Sequence, residues 1–140
     1  MIEFVPLTAD HIMRLSEPIG PYVPSEITEE LAEEIALMGG FAGVDGDEVL
    51  GVGGVMETWK GTGVAWLWMS RAWRKYANTV TEYVRDHIKN HPLKRIEVGV
   101  LTDFSAGHRW AKKLGLEMET PLARKWGPDG RDYSIYVRIK

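Results

Sequence analysis

WLWMSRAWRKYAN, residues Trp66 to Asn78, reads as the end of a buried strand running straight into a helix. Trp66 and Trp68 are two apart, so on a strand they share one face. From Tyr76 onward the apolar residues take up helical spacing. Val80, Tyr83, Val84, His87 and Ile88 form one face, and Asn78, Glu82, Arg85, Asp86 and Lys89 the other. Three cations, Arg71, Arg74 and Lys75, crowd the junction. A helix N-terminus already carries partial positive charge, so cations there cost about 0.3–1 kcal/mol each. Two arrangements account for them: a bound phosphate, which helix N-termini favour, or a solvated basic face.

Working back from the junction, GFAGV and VLGVGGVMETW flank Asp45-Gly46-Asp47-Glu48, a hairpin signal. WKGTG then turns the chain into the strand VAWLWMS, completing an antiparallel meander. Ahead of it, SEITEELAEEIALMGG predicts a helix on Ile27, Leu31, Ile35 and Met38, stopped by Gly39-Gly40. EPIGPYVPSE is an irregular loop, because its prolines remove donors and block helix. TADHIMRLSE predicts a first short helix with Thr8 as N-cap, after a strand over Glu3 to Leu7.

Beyond the junction helix, RIEVGVLT is a strand and SAGHRWAKKLGL a short helix. Ser105 is its expected N-cap, Gly115 its C′ glycine, and Trp110, Ala111 and Leu114 its buried stripe. EMETPLARKW, GPDG and RDYSIYVRIK then form strand, turn and strand. The order β-α-α-β-β-β-α-β-α-β-β places an α/β (α+β) mixture around one mostly antiparallel sheet.

The 140 residues suit one domain, 1–140, with no repeat and no interdomain linker. A net charge of −3 gives no global basic field to collect nucleic acid. The absence of cysteine excludes disulfides, a thiol nucleophile and thiolate metal sites, and is compatible with a reducing cytoplasm. MIEFVPLTADH lacks a basic segment followed by an apolar run, so no signal peptide is expected, and no stretch suits a membrane span. His11, His87 and His91 show no ligand spacing with paired carboxylates, so no metal site is expected.

The element order, together with AGHRWAKKLGLEME, resembles the GNAT acyltransferases over nearly the whole chain. Lys113, Leu114, Gly115 and Leu116 fill that family's Lys-Leu-Gly-Phe-like run, and RIEVGVLT fits its fifth strand. More narrowly, the chain looks like small GNAT-like proteins of tailed phages. The resemblance implies a twisted sheet of six to seven strands, about four flanking helices, and fourth and fifth strands splayed around acyl-CoA. It places cofactor contacts at Leu67, Trp68, Met69, Ser70, Arg71, Arg74, Lys75, Phe104 and His108, with backbone N–H groups of Leu67 to Met69 facing the oxyanion. Two features depart from the family. The pyrophosphate loop usually carries glycines, whereas MSRAWRKYAN has none. Ala111 and Phe104 stand where many relatives carry a tyrosine acid and an asparagine.

Transfer of an acetyl group to an amine needs a base for the amine, a donor for the oxyanion and a proton for the thiolate. Glu57, near the end of the third strand, is a candidate base; the plainer reading is an exposed carboxylate beside Lys60. Glu97 lies in an otherwise apolar strand, where burial would raise its pKa; alternatively it pairs with Arg95 or an arginine on a neighbouring strand. His108, early in the late helix, suits proton shuttling, or is simply a helix-surface side chain. Tyr22, in the proline loop, and Trp59 are candidate walls for the acceptor, against the reading that the tryptophans fill core.

Two functions from different classes follow. One is a GNAT-like N-acetyltransferase using acetyl-CoA and an amine acceptor, with no membrane or nucleic-acid partner. The other is a non-catalytic protein of the same fold, a phage virion or assembly component with a degenerate cofactor loop. A homodimer or a phage structural protein is the expected macromolecular partner. The strand–helix plan and basic junction favour the first; the missing glycines and tyrosine favour the second.

Overall fold

The computed structural model describes residues 1–15, 18, 23, 24, 26–127 and 129–140. In chain order the elements are β1 (Glu3–Pro6), α1 (Ala9–Arg14), α2 (Glu29–Leu37), β2 (Phe41–Asp45), β3 (Glu48–Trp59) and β4 (Thr62–Met69). A 3-10 helix (Arg71–Tyr76) follows, then α3 (Ala77–Asn90), β5 (Arg95–Leu101), α4 (Ser105–Lys113), β6 (Glu117–Ala123) and β7 (Tyr133–Ile139). The seven strands are ordered β1-β2-β3-β4-β5-β7-β6. β1–β2, β2–β3, β5–β7 and β6–β7 are antiparallel, and β4–β5 is parallel. This is the expected α/β architecture, with its strand and helix numbers met. The β4–β5 ladder joins Thr62–Val64 to Arg95–Glu97. None of the helices is long and apolar enough to cross a membrane among the described residues.

Contacts group the chain into two compact units, residues 1–56 with 66–80, and residues 57–65 with 81–140. The core of the first unit is Leu7, Ile12, Leu15, Ala32, Ile35, Ala42, Val49, Val52 and Trp68, with Trp66 packed against it. Trp66 and Trp68 meet edge to face at 5.2 Å, so the pair does share one face. Thr8 caps α1 as expected, and His11 completes a capping box by accepting from the Thr8 N–H. α2 starts later than its sequence segment, because the Thr28 hydroxyl accepts from the Leu31 N–H and fixes the first turn there. The Asp-Gly signal is met: Asp45 pairs with Glu48 around Gly46, whose φ is 59°.

The second unit carries α4 and α3 from Thr81 onward. Val84 and Ile88 are buried, and Glu82, Arg85, Asp86 and Lys89 exposed, as the helical periodicity requires. On α4, Ala111 and Leu114 are buried, and Trp110 Nε1 donates to Thr81 Oγ1 at 2.9 Å. Phe104, not Ser105, is the N-cap of α4, without a side-chain capping bond. Its ring packs where a side chain on Gly107 would stand, so the first turn is held by packing rather than by a hydroxyl. One face of the β5–β7–β6 sheet buries Leu101, Tyr133, Ile135 and Val137.

Candidate functional site

The strand-to-helix junction differs from its sequence reading in a way that explains its composition. The chain enters a six-residue 3-10 helix, and the α-helix begins only at Ala77. The Trp73 N–H donates to the Ser70 carbonyl (3.3 Å), and the Ala77 N–H to the Arg74 carbonyl. Three residues per turn align positions i and i+3. Trp73 and Tyr76 thereby fall on one side. Trp73 lines a small apolar cavity with Phe4, Phe41, Leu50, Leu67 and Met69, and the Tyr76 hydroxyl donates to Asp45 Oδ2. Arg71 and Arg74 align on another side, where both are exposed. Their side chains make no hydrogen bond or ion pair among the described residues, whereas Lys75 interacts with the Asp45 carboxylate. Apart from Lys125, no described non-glycine residue has a left-handed backbone, so this turn needs no glycine.

Ser70 sits at the head of the turn. It is 4% exposed, and its Oγ has no hydrogen-bond partner. A buried hydroxyl left unpaired costs roughly 1–3 kcal/mol. The Ser70 N–H donates to the Leu50 carbonyl on β3 (2.9 Å). Backbone groups alternate sides along a strand, so Trp66 and Trp68 also address β3, and the N–H groups of Leu67 and Met69 point away from it. Trp68 is thus a core residue rather than a donor to a ligand. The Arg71 and Ala72 amides, first in the turn, have no intrahelical acceptor.

The Tyr76 hydrogen bond, and next the N-terminal ammonium, hold the Asp45 carboxyl below its ordinary pKa. A lowered folded-state pKa contributes stability that is present above the unfolded value of about 3.8 and lost as pH falls through the folded value. Asp45→Ala is therefore expected to be less stable than the parent near neutral pH, with the gap narrowing as acid protonates the folded-state carboxyl below the ordinary value. Urea unfolding at neutral and acid pH checks this; a gap that persists in acid contradicts it.

His108 is tied at both nitrogens. A carbonyl only accepts, so the bond to the Thr102 carbonyl (2.9 Å) places a proton on Nε2. In the neutral ring Nδ1 then accepts from the Tyr136 hydroxyl at 2.6 Å. His108 holds α4 to β7, with both ring nitrogens hydrogen-bonded. Tyr136, 1% exposed, is the partner that sequence reasoning missed. A core tyrosine needs an acceptor, but the one it finds is 28 residues away. His108→Ala is expected to cost about 1–3 kcal/mol by orphaning that hydroxyl, with part recovered by adding Tyr136→Phe. Urea unfolding reads this, and an unchanged midpoint for the single variant contradicts it.

The remaining candidates separate. Glu57 is exposed, and its Oε1 accepts from the Gly61 N–H (3.2 Å), so it braces the β3–β4 turn. Glu97 pairs with Arg95, whose Nε donates to Oε2 at 3.3 Å. The same guanidinium forms a two-bonded bridge to Glu119. Glu97 is partly buried and keeps Oε1 without a partner among the described residues. Trp59 is 76% exposed at the end of β3 and lines no described pocket, because the last four residues of that strand are all uncovered. Tyr22 lies outside the described residues. No group of three metal-ligating side chains converges among the described residues.

The architecture is that of the GNAT acetyltransferases. Ard1 from Thermoplasma volcanium superposes with a TM-score of 0.76 at 11% identity, covering 99% of this chain and 97% of that one. A GNAT-family acetyltransferase from Streptococcus pneumoniae gives 0.74 at 10% identity, covering 99% of each chain. A ribosomal-protein-S5-alanine acetyltransferase from Vibrio fischeri gives 0.72 at 15% identity, covering 99% and 92%. No family model and no curated protein sequence matches the chain.

Proposed function

We propose that the chain is an acetyl-CoA-dependent N-acetyltransferase. The observation that carries this reading is the Ser70–Lys75 junction. There a buried unpaired hydroxyl, two amides without intrahelical acceptors and two unpaired exposed arginines occur together at the head of a turn. Those groups suit phosphate oxygens. They replace a glycine-lined wrap with side-chain charge, so the missing glycines do not rule out the cofactor. The fold shared with solved acetyltransferases supports the same reading.

Acetyl-CoA supplies a thioester carbonyl already activated for attack. In the first unit, Ser70, Arg71 and Arg74 bind its phosphates, and the Leu67 and Met69 amides face the carbonyl oxygen as charge develops on it. The amine nitrogen gives up its proton to a base as it attacks. The N–C bond forms, the C–S bond breaks, and the thiolate leaves and is protonated by solvent, so no tyrosine acid is required. The test is thiol release from acetyl-CoA in the presence of a panel of primary amines. Amine-dependent release of the thiol supports the reading. Absence of release with every amine, in protein shown to be folded, overturns it and favours the non-catalytic alternative.

A further inference from the structure

At the end of α3 three rings stand in a row. Tyr83 and His87 share one face of the helix, and His91, the first residue past it, continues the line. The Tyr83 and His87 rings stack at 5.9 Å, and the His87 and His91 rings meet edge to face at 5.9 Å. With Asp86, Asn90 and Pro92 they line an open groove of about 390 Å³ in the second unit. Both histidines are half-buried.

His91 also closes the turn that follows. Its Nδ1 accepts from the Leu93 N–H at 3.3 Å. A ring nitrogen accepts only while it carries no proton, so the folded ring is neutral with its proton on Nε2. A second proton has one place to go, which is Nδ1. Two donors then face each other and the turn loses its bond.

The surroundings are already positive. Arg138 on β7 donates to the carbonyls of His91 (3.3 and 3.5 Å) and Leu93 (2.7 Å), and Lys140 Nζ donates to the His91 carbonyl at 3.1 Å. Neither cation is paired with a carboxylate among the described residues, and Arg138 Nε is buried without a partner. Lys94, ahead of β5, meets this corner through its backbone carbonyl, which accepts from the Lys140 N–H (2.8 Å). Tyr83 and Asp86 stand beside the rings on α3 itself. The exposed Glu57, at the end of β3, favours a charged His91, whereas Arg138 and Lys140 oppose it. Burial, and next His91, holds His87 below its ordinary pKa; burial, and next Arg138 and Lys140, does the same for His91.

We infer that the His87–His91–Leu93 corner is an acid-sensitive latch, which holds the α3–β5 connection to β7 at neutral pH and releases it as the two imidazoles gain protons. Each ring binds its proton more readily once the corner has opened, because its folded-state value lies below the ordinary 6.5. The latch is therefore closed above about pH 6.5 and weakens as pH falls from there through the folded-state values.

The test compares the parent with His91→Asn by NMR, from about pH 7.5 down to about pH 5. The amide oxygen in His91→Asn can still accept from the N–H two residues on, but it takes no proton. In the parent, the His91 ring is expected to titrate below 6.5, with the Leu93 amide resonance moving at the same midpoint. Leu93 amide exchange, corrected for its intrinsic rate, should quicken at least about tenfold in acid in the parent and less than about threefold in His91→Asn. A His91 ring that titrates at or above 6.5, a Leu93 amide indifferent to that titration, or an equal acid response in the two proteins overturns the inference. If His91→Asn does not fold, His87→Phe keeps a ring against Tyr83 and removes the other titrating group. Its Leu93 exchange should respond less to acid than the parent's, and an equal response contradicts the latch.

Discussion

Replacing Arg71 and Arg74 together by alanine is expected to weaken acetyl-CoA binding about 10- to 100-fold while leaving the unfolding midpoint nearly unchanged. The affinity term follows from the loss of two charge-assisted contacts at an exposed site, each contributing roughly 0.7–1.4 kcal/mol. The stability term follows from their surroundings: both side chains are exposed and neither holds any other described part of the fold. Removing Arg71 from the first turn of a helical segment even relieves a small dipole cost. The parent should lose affinity as salt rises, and the double variant should lose less. Lys75 is left in place because it interacts with Asp45, so its removal would mix binding with folding. Titration calorimetry at two salt concentrations separates these quantities. Unchanged affinity in the double variant would mean that the arginines are a solvated basic face.

The largest effect on stability is expected at Gly40, where the chain leaves α2 for β2. Its φ is 144°, a conformation that L side chains rarely adopt, and an added Cβ would stand 2.3 Å from the Gly53 carbonyl oxygen. The obstacle is backbone of a paired strand, which cannot swing aside as a flexible side chain can. Gly40→Ala is expected to cost about 3 kcal/mol or more, from backbone strain and overpacking together. Gly39→Ala is the control: φ there is 83°, but nothing lies within 4 Å of the added carbon, so only the strain remains. Denaturant unfolding of the two variants should therefore differ by more than about 1 kcal/mol, and equal losses would contradict the crowding argument.

The fold was legible because its signals are local. Asp45-Gly46, Lys60-Gly61 and Gly115 each mark a turn by backbone conformation, and each has a positive-φ glycine in the structure. The α3 face was readable because 14 helical residues give almost four turns of periodicity. The junction was misread because a 3-10 turn and an α-helix share their first residues and differ in period. The three-residue spacing of Trp73 with Tyr76, and of Arg71 with Arg74, is the signal that was there to use.

The site was less legible because its contacts are distant in sequence. His108 looked free because Tyr136 and Thr102 reach it only through folding. Glu97 was open between burial and pairing, and the choice fell to Arg95, two residues away on the same face. Ser70 was named for its position, but its unpaired hydroxyl is a property of burial that composition does not carry.

The central claim is that the Ser70–Lys75 junction binds a phosphate-bearing acyl donor. Calorimetric titration of the chain with acetyl-CoA and with CoA, at low and moderate salt, tests it most directly. The account predicts saturable binding of both ligands that weakens as salt rises. No heat of binding at millimolar ligand would contradict it, and would leave the junction as a solvated basic turn on a fold without its cofactor.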